Sequence, residues 1–285
     1  MMTTPPFTSA TPAETPWSPA GHVGAAYRFE TFRTGLLLDD MWFSATDPGP
    51  GDLFPAFDLP TVDGGRFQST DLGDRPVVIV FGSRTCPMTE SAMPQFTLLH
   101  REFGDRARFV LVNTREAHPG ELIRQPHTAS EKLARAAQLR DHHGVAFEVA
   151  VDDIDGSLHR AVSPKPNSAY VVDPSGTILH RAHWANDVAA VRRALTEVVA
   201  GTTPGRGTSR AMLAPMMRGV GHLPDIVAAA GPKVMRDIVR AAPPMAGLAR
   251  LTTWVRPVPK DRRGAAVILG IIAAIAVAIV LVVVG

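Results

Sequence analysis

The chain has 285 residues, an ordinary globular share of apolar side chains and a single cysteine. That leaves room for one or two domains and excludes a disulfide-built scaffold, a dithiol pair within the chain and a cysteine-rich zinc module. The net charge of +2 hides a division: residues 1–200 carry 18 Lys and Arg against 24 Asp and Glu, and residues 201–263 carry 11 against 3.

In chain order, residues 1–20 are rich in Pro, Thr, Ser and Ala, with no basic start or apolar core of a signal peptide, and read as a disordered tail. Residues 21–50 form a lead-in whose Tyr27, Phe29, Phe32, Trp42 and Phe43 are expected to pack on a main domain spanning 51–201. Within that domain the pattern predicts strands at 66–68, 77–81, 108–113 and 147–151, and a helix over 90–103 with Pro94 kinking it. A second helix is expected over 130–142, capped by Ser130. A hairpin of 169–172 and 177–181 turns on Asp173-Pro174-Ser175-Gly176, and a last helix, capped by Asn186, runs to about 199. Strands alternating with helices imply an α/β domain with a mixed sheet covered on both faces.

Residues 202–263 contain Pro204, Pro215, Pro224, Pro232, Pro243, Pro244, Pro257 and Pro259. That spacing predicts a basic juxtamembrane linker without a long helix, with short helices open at 225–230 and 233–242, and either a solvated linker or pieces lying at the membrane interface. Residues 264–285 are apolar or Gly throughout, enough to cross a bilayer core of roughly 30 Å. Lys260, Arg262 and Arg263 on the N-terminal flank predict a single-pass C-terminal anchor in the cell membrane, with the main domain cytoplasmic. A basic stretch beside an anchor suits anionic headgroups, and without a nucleic-acid motif it does not point to nucleic acid. Gly270, Ala274 and Ala278 recur every fourth residue, a small-residue stripe compatible with a dimer.

The chemistry concentrates at Val77-Val78-Ile79-Val80-Phe81-Gly82-Ser83-Arg84-Thr85-Cys86-Pro87. A buried strand enters a short loop, the loop presents a thiol, and a helix follows. The helix N-terminus and the Arg84 cation are expected to lower the thiol pKa from its free value near 8.5, with Ser83 and Thr85 as hydroxyl donors. Glu116 and His118, two residues apart after a strand, are candidates to share a face and move a proton. His142-His143 suit the C-terminal end of a helix dipole, and no two-His helix motif or Cys/His cluster points to a metal.

The segment Phe81-Gly82-Ser83-Arg84-Thr85-Cys86-Pro87 resembles the active-site segment of the iodothyronine deiodinases, with Cys86 where those enzymes carry selenocysteine. Glu116-Ala117-His118-Pro119 is similar to their Glu-Ala-His-Pro segment, and Gln125-Pro126-His127 resembles a further element of theirs. Peroxiredoxins are similar at Cys86-Pro87-Met88-Thr89-Glu90; Ser83 stands where they carry Thr, and Asn167 near their active-site arginine. Thr89 occupies the place of the second cysteine of thioredoxins. The resemblance implies a thioredoxin-like fold over residues 50–200 and a thiol-dependent oxidoreductase. Cys86 would be the single redox nucleophile, His118 and Glu116 the proton-handling pair, and Ser83, Arg84, Thr85, Thr89, His127 and Asn167 supporting residues. It implies no bound cofactor, an oxidised or halogenated small-molecule substrate, and recycling by a low-molecular-weight thiol or a thioredoxin-type reductant. A one-cysteine peroxidase and a non-catalytic, membrane-tethered redox sensor or binding module remain open beside it.

Overall fold

The computed structural model describes residues 27–284; the tail expected at 1–20 lies outside the described residues. The lead-in forms α1 (Thr34–Asp39), followed by an antiparallel pair, β1 (Asp58–Pro60) and β2 (Arg66–Gln68). Then come β3 (Val77–Gly82), α2 (Pro87–Phe103), β4 (Arg108–Asn113), α3 (Ala129–His143) and β5 (Glu148–Val151). A short α4 (Ser157–Ala161) precedes the hairpin β6 (Ala169–Val172) and β7 (Ile178–Ala182), and α5 (Val188–Val199) and β8 (Thr208–Ser209) follow. The six strands order as β5-β4-β3-β6-β7-β8. β3, β4 and β5 are parallel, and β6 runs antiparallel to both β3 and β7. This is a thioredoxin-like sheet, with β3, which leads into the thiol loop, near its centre.

Strand alternation divides the core. Val78 and Val80 face α2 and α5 across Phe96, Leu99, Val191 and Leu195. Val77, Ile79 and Phe81 face the opposite layer with Phe54, Phe67, Leu158 and Tyr170. The structure moves several expected caps. α3 is capped by Thr128 in a reciprocal box with Glu131, so Ser130 lies inside the helix. α5 is preceded by Asp187, which frees Asn186 to donate from Nδ2 to the Pro215 carbonyl at 2.9 Å. α2 passes through Pro94 as one helix. The hairpin turn forms as expected: Asp173 Oδ1 accepts from the Ser175 and Thr177 N–H groups, and Gly176 takes φ +89°.

The largest correction concerns residues 202–263. They contain α6 (Leu213–Ala230), α7 (Lys233–Ala241) and α8 (Pro243–Thr252), packed on the sheet domain. α6 has 18 residues and holds two prolines. Pro215 lies in the first turn, where its missing N–H would have no partner within the helix. Pro224 lies inside, at a cost of about 3 kcal/mol. Burial of Val220, Leu223 and Ile226 on α6 outweighs that, at about 1.5–3 kcal/mol for each side chain. These helices build a third apolar core with Phe32 of the lead-in and Ile123 of the loop after β4. Proline spacing reports local propensity only, and here tertiary burial overrides it.

The final helix, α9 (Lys260–Val284), is long and apolar enough to cross a membrane. Its first turns pack on α6 through two glycines. A Cβ on Gly221 would lie 1.9 Å from the Lys260 carbonyl oxygen, and one on Gly264 would lie 2.3 Å from that of Met217. The candidate membrane helix is thus joined by close backbone contact to α6.

Candidate active site

Cys86 is the N-cap residue of α2 and Pro87 opens the helix, where its fixed φ and missing N–H fit. Two loops at the C-terminal ends of β3 and β4 are tied together beneath the thiol. The Thr85 N–H and hydroxyl both donate to Glu116 Oε2, at 2.8 and 2.7 Å. The His118 N–H donates to Thr85 Oγ1 at 3.1 Å, and the Ala117 N–H to Ser83 Oγ at 3.2 Å. Gln125 closes the far side, accepting from the Glu116 N–H at 2.9 Å and donating to the Glu116 carbonyl at 2.8 Å. Arg135 Nε stands 3.5 Å from Glu116 Oε1.

Glu116 is fully buried in this network and does not line the space beside the thiol. Burial raises its pKa, against the Thr85 hydrogen bonds and the Arg135 charge, which lower it. Glu116 and His118 therefore diverge: the carboxylate holds the Cys86 loop, and the imidazole faces the thiol's cavity.

That cavity has a volume of about 70 Å³ and is bounded by Cys86, His118, Phe32, Met88, Trp184 and Leu223, among others. The ionisable side chains lining it, besides Cys86, are Asp40 and His118. His118 packs its ring on Phe32 with centroids 4.4 Å apart, and its buried Nδ1 has no hydrogen-bond partner. Burial pushes its pKa down to about 4, so the ring is neutral near pH 7. Asp40 is pushed up to about 7 by burial, against the attraction of Arg115 and Lys165.

Cys86 is 1% exposed. Burial pushes its thiol up to about 11, against the Thr89 hydroxyl and the N–H groups of Thr89 and Met88, which pull it down; Asp40 adds to the rise. The expected lowering is thus reversed in this closed arrangement, because desolvation exceeds the helix-terminus effect. Arg84 gives no help, since it turns to Glu90 at 2.8 Å.

The other expected residues sort by place. Thr89 Oγ1 accepts a long bond from the Ser83 N–H, and Asn167 Nδ2 donates to the Phe81 carbonyl at 3.0 Å and to Thr89 Oγ1 at 3.4 Å. Asn167 thus braces the Thr89 hydroxyl and β3. His127 is mostly exposed, with its N–H bonded to Glu131, and lies outside the cavity lining. Sequence reasoning missed Asp40, Trp184 and the cover supplied by α6 and α8. The one signal for Asp40 was the Asp39-Asp40 pair set in the otherwise apolar run from Leu36 to Phe43.

The iodothyronine deiodinase profile matches residues 43–198, more than half of the chain. The chain belongs to the iodothyronine deiodinase family. It is 33% identical over 110 residues to type II iodothyronine deiodinase of Fundulus heteroclitus, covering 34% of this chain and 41% of that protein. It is 43% identical over 63 residues to the Sus scrofa type II enzyme, covering 21% and 23%, and 31% identical over 108 residues to thyroxine 5-deiodinase of Gallus gallus, covering 35% and 42%. The chain thus spans less than half the length of these relatives. Among solved structures, an uncharacterized conserved protein from Geobacillus kaustophilus aligns at TM-score 0.44 and 16% identity, over 58% of this chain and 90% of that one. Peroxidoxin BcpB from Mycobacterium tuberculosis aligns at 0.41 and 20%, over 54% and 97%. The family match contains Cys86, Glu116 and His118. Asp40 and the α6 and α8 walls of the cavity lie outside it, so this member covers its thiol with segments beyond the shared domain.

Proposed function

We propose that the chain is a membrane-held thiol oxidoreductase in which Cys86 is the single redox nucleophile, acting on an apolar halogenated small molecule and recycled by an external thiol. The observation that carries this reading is the placement of a lone thiol at the wall of an apolar cavity, with His118 and Asp40 the ionisable groups facing it. In the reductive step the sulfur takes the halogen from R–X, giving R–H and Cys86–S–X; the proton gained by carbon is the one released by the thiol. His118, neutral and with a free nitrogen, passes that proton, and Asp40, protonated below about pH 7, is a second donor. One external thiol displaces the halide as HX to form a mixed disulfide, and a second releases Cys86–SH and a small disulfide. The Glu116–Thr85 bonds hold the loop in register while this happens.

A space of about 70 Å³ holds roughly two waters, whereas benzene occupies a cavity of roughly 150 Å³. Substrate entry therefore moves the cover, and the flexible Met216 and Met245 side chains on α6 and α8 are suited to that. Opening also hydrates the thiol and removes most of the cause of its raised pKa. α9 would anchor the chain, with Lys260, Arg262 and Arg263 at the cytoplasmic headgroups. An apolar cavity and an Arg84 turned away from the sulfur favour this substrate class over hydrogen peroxide.

The test is halide release from halogenated phenols with dithiothreitol as the reductant, comparing the parent with Cys86→Ser. Release by the parent and loss in the variant support the reading; equal release by both ends it. One observation favours a second reading: a thiol held protonated is also what a binding module would carry. Binding of the same phenols without turnover under any thiol would select that module.

A further inference from the structure

A group of potential ligands lies outside the cavity, one turn along α2 from the thiol. Glu90 on α2 meets His142 and His143 at the end of α3. His142 Nε2 is 2.9 Å from Glu90 Oε1 and 3.1 Å from Oε2, and His143 Nε2 is 3.8 Å from Oε1. The donor atoms of all three residues lie within 4.8 Å of one another. The His143 side chain is 6% exposed, and its Nε2, directed at Glu90, has no hydrogen-bond partner. A buried polar nitrogen without a partner carries a desolvation cost that hydrogen bonding or a metal would remove.

We propose that Glu90, His142 and His143 form a binding site for a divalent cation of the zinc class. Two imidazoles and one carboxylate are an established donor set for that ion, with ligand bonds of about 2.0–2.2 Å. Tetrahedral bonds of that length put neighbouring donor atoms about 3.3 Å apart. The His142–Glu90 contact at 2.9 Å and the His143–Glu90 contact at 3.8 Å lie on either side of that value, and the three donor atoms lie within 4.8 Å of one another. His142 is partly exposed and leaves a fourth position open to water. Arg84 is the competitor: its guanidinium now holds Glu90 Oε1 at 2.8 Å, and the ion displaces it or shares the carboxylate through Oε2. The bound ion would clamp the first turns of α2, where the Glu90 N–H bonds the Cys86 carbonyl at 3.1 Å, to the end of α3. Its role is positional, since none of the three ligands lines the thiol's cavity.

The test uses the full chain in detergent micelles, stripped of metal, in a Cys86→Ser background so that the thiol cannot ligate. Co(II) serves as the spectroscopic probe, and Zn(II) is titrated against a chromophoric chelator. The expected result is one equivalent bound with a tetrahedral Co(II) spectrum. His142→Ala, at a partly exposed position that folding tolerates, should weaken Zn(II) by more than the roughly 10- to 100-fold that an outer partner costs. Arg84→Gln should tighten it by removing the competing cation. His222→Ala, at the neighbouring His222–Asp261 pair, should leave the affinity unchanged. Absence of stoichiometric binding, or binding unaltered by His142→Ala, overturns the proposal. None of these readouts involves turnover, so the outcome is independent of the function proposed above.

Discussion

Glu116 offers the sharpest test of how the site is held. Its carboxylate accepts two bonds from Thr85 in a fully buried setting, and Arg135 stands beside its other oxygen. A hydrogen bond to a charged group contributes about 1.5–3 kcal/mol, and removing one partner of a buried charged pair costs about 3–5 kcal/mol. Glu116→Ala strips both Thr85 donors at once, so the expected loss is about 3–5 kcal/mol. Glu116→Gln keeps one oxygen for Thr85 and loses the charge facing Arg135, for an expected loss of about 2 kcal/mol. For a domain of this size 1 kcal/mol moves Tm by about 2–4 °C. Thermal melts of the full chain in micelles should therefore show Glu116→Ala lower by on the order of 10 °C, with Glu116→Gln between it and the parent. Because Glu116 does not line the cavity, the Gln variant should also keep the shape of the parent's pH–rate profile. An Ala variant that melts within about 2 °C of the parent would refute the anchoring argument. A Gln variant that loses one limb of the pH profile would return Glu116 to a proton-transfer role.

Further outcomes follow from the structure. With the cavity closed and the Cys86 pKa near 11, alkylation of the resting protein should keep accelerating through pH 9–10 without a plateau at neutral pH. Asp40→Asn should speed alkylation above about pH 7, where the carboxylate it removes would be charged, and leave it unchanged at pH 5. The Asp40 carboxyl ionises near 4 when unfolded and near 7 when folded, so its stabilising contribution is full below about 4 and lost as pH rises through 7. Chemical denaturation across that range should show the decline in the parent and a shallower one in Asp40→Asn. Gly156 takes φ +69°, and a Cβ there would lie 2.0 Å from the Tyr27 ring, so Gly156→Ala should destabilise by about 2–4 kcal/mol and release Tyr27 from its bond to His159; an unchanged melt would contradict the packing. Gly221→Leu should part α6 from α9 and raise the hydrogen exchange of α6 next to the cavity, and exchange identical to the parent's would show that the two helices are not coupled there.

Much of the sheet domain was legible because its signals are local. The run from Val77 to Phe81 is a strand by composition, Asp173 to Gly176 is a turn by side-chain chemistry, and the thiol between strand and helix marks the site. Glu116 and His118 were also visible, but alternation could not tell that one would turn to Thr85 and the other to the cavity. That division depends on a loop pinned by Gln125, nine residues on in sequence, and by the Arg135 charge on α3. The thiol's charge state is hidden from local sequence signals for a related reason. The helix terminus is a local feature, whereas burial is supplied in large part by Trp184 and Met212 from segments far along the chain. The α6–α8 cover itself was hidden by its prolines: Pro224 carries a local penalty that only long-range burial of Leu223 and Ile226 offsets.

The most direct test of the account is intact-protein mass spectrometry of the full chain after incubation with a halogenated phenol and a limiting thiol. The expected product is a covalent mixed disulfide mapping to Cys86, absent in Cys86→Ser and discharged by excess thiol, with free halide appearing in step. Halide release without any adduct at Cys86, or with the Ser variant still active, would contradict it.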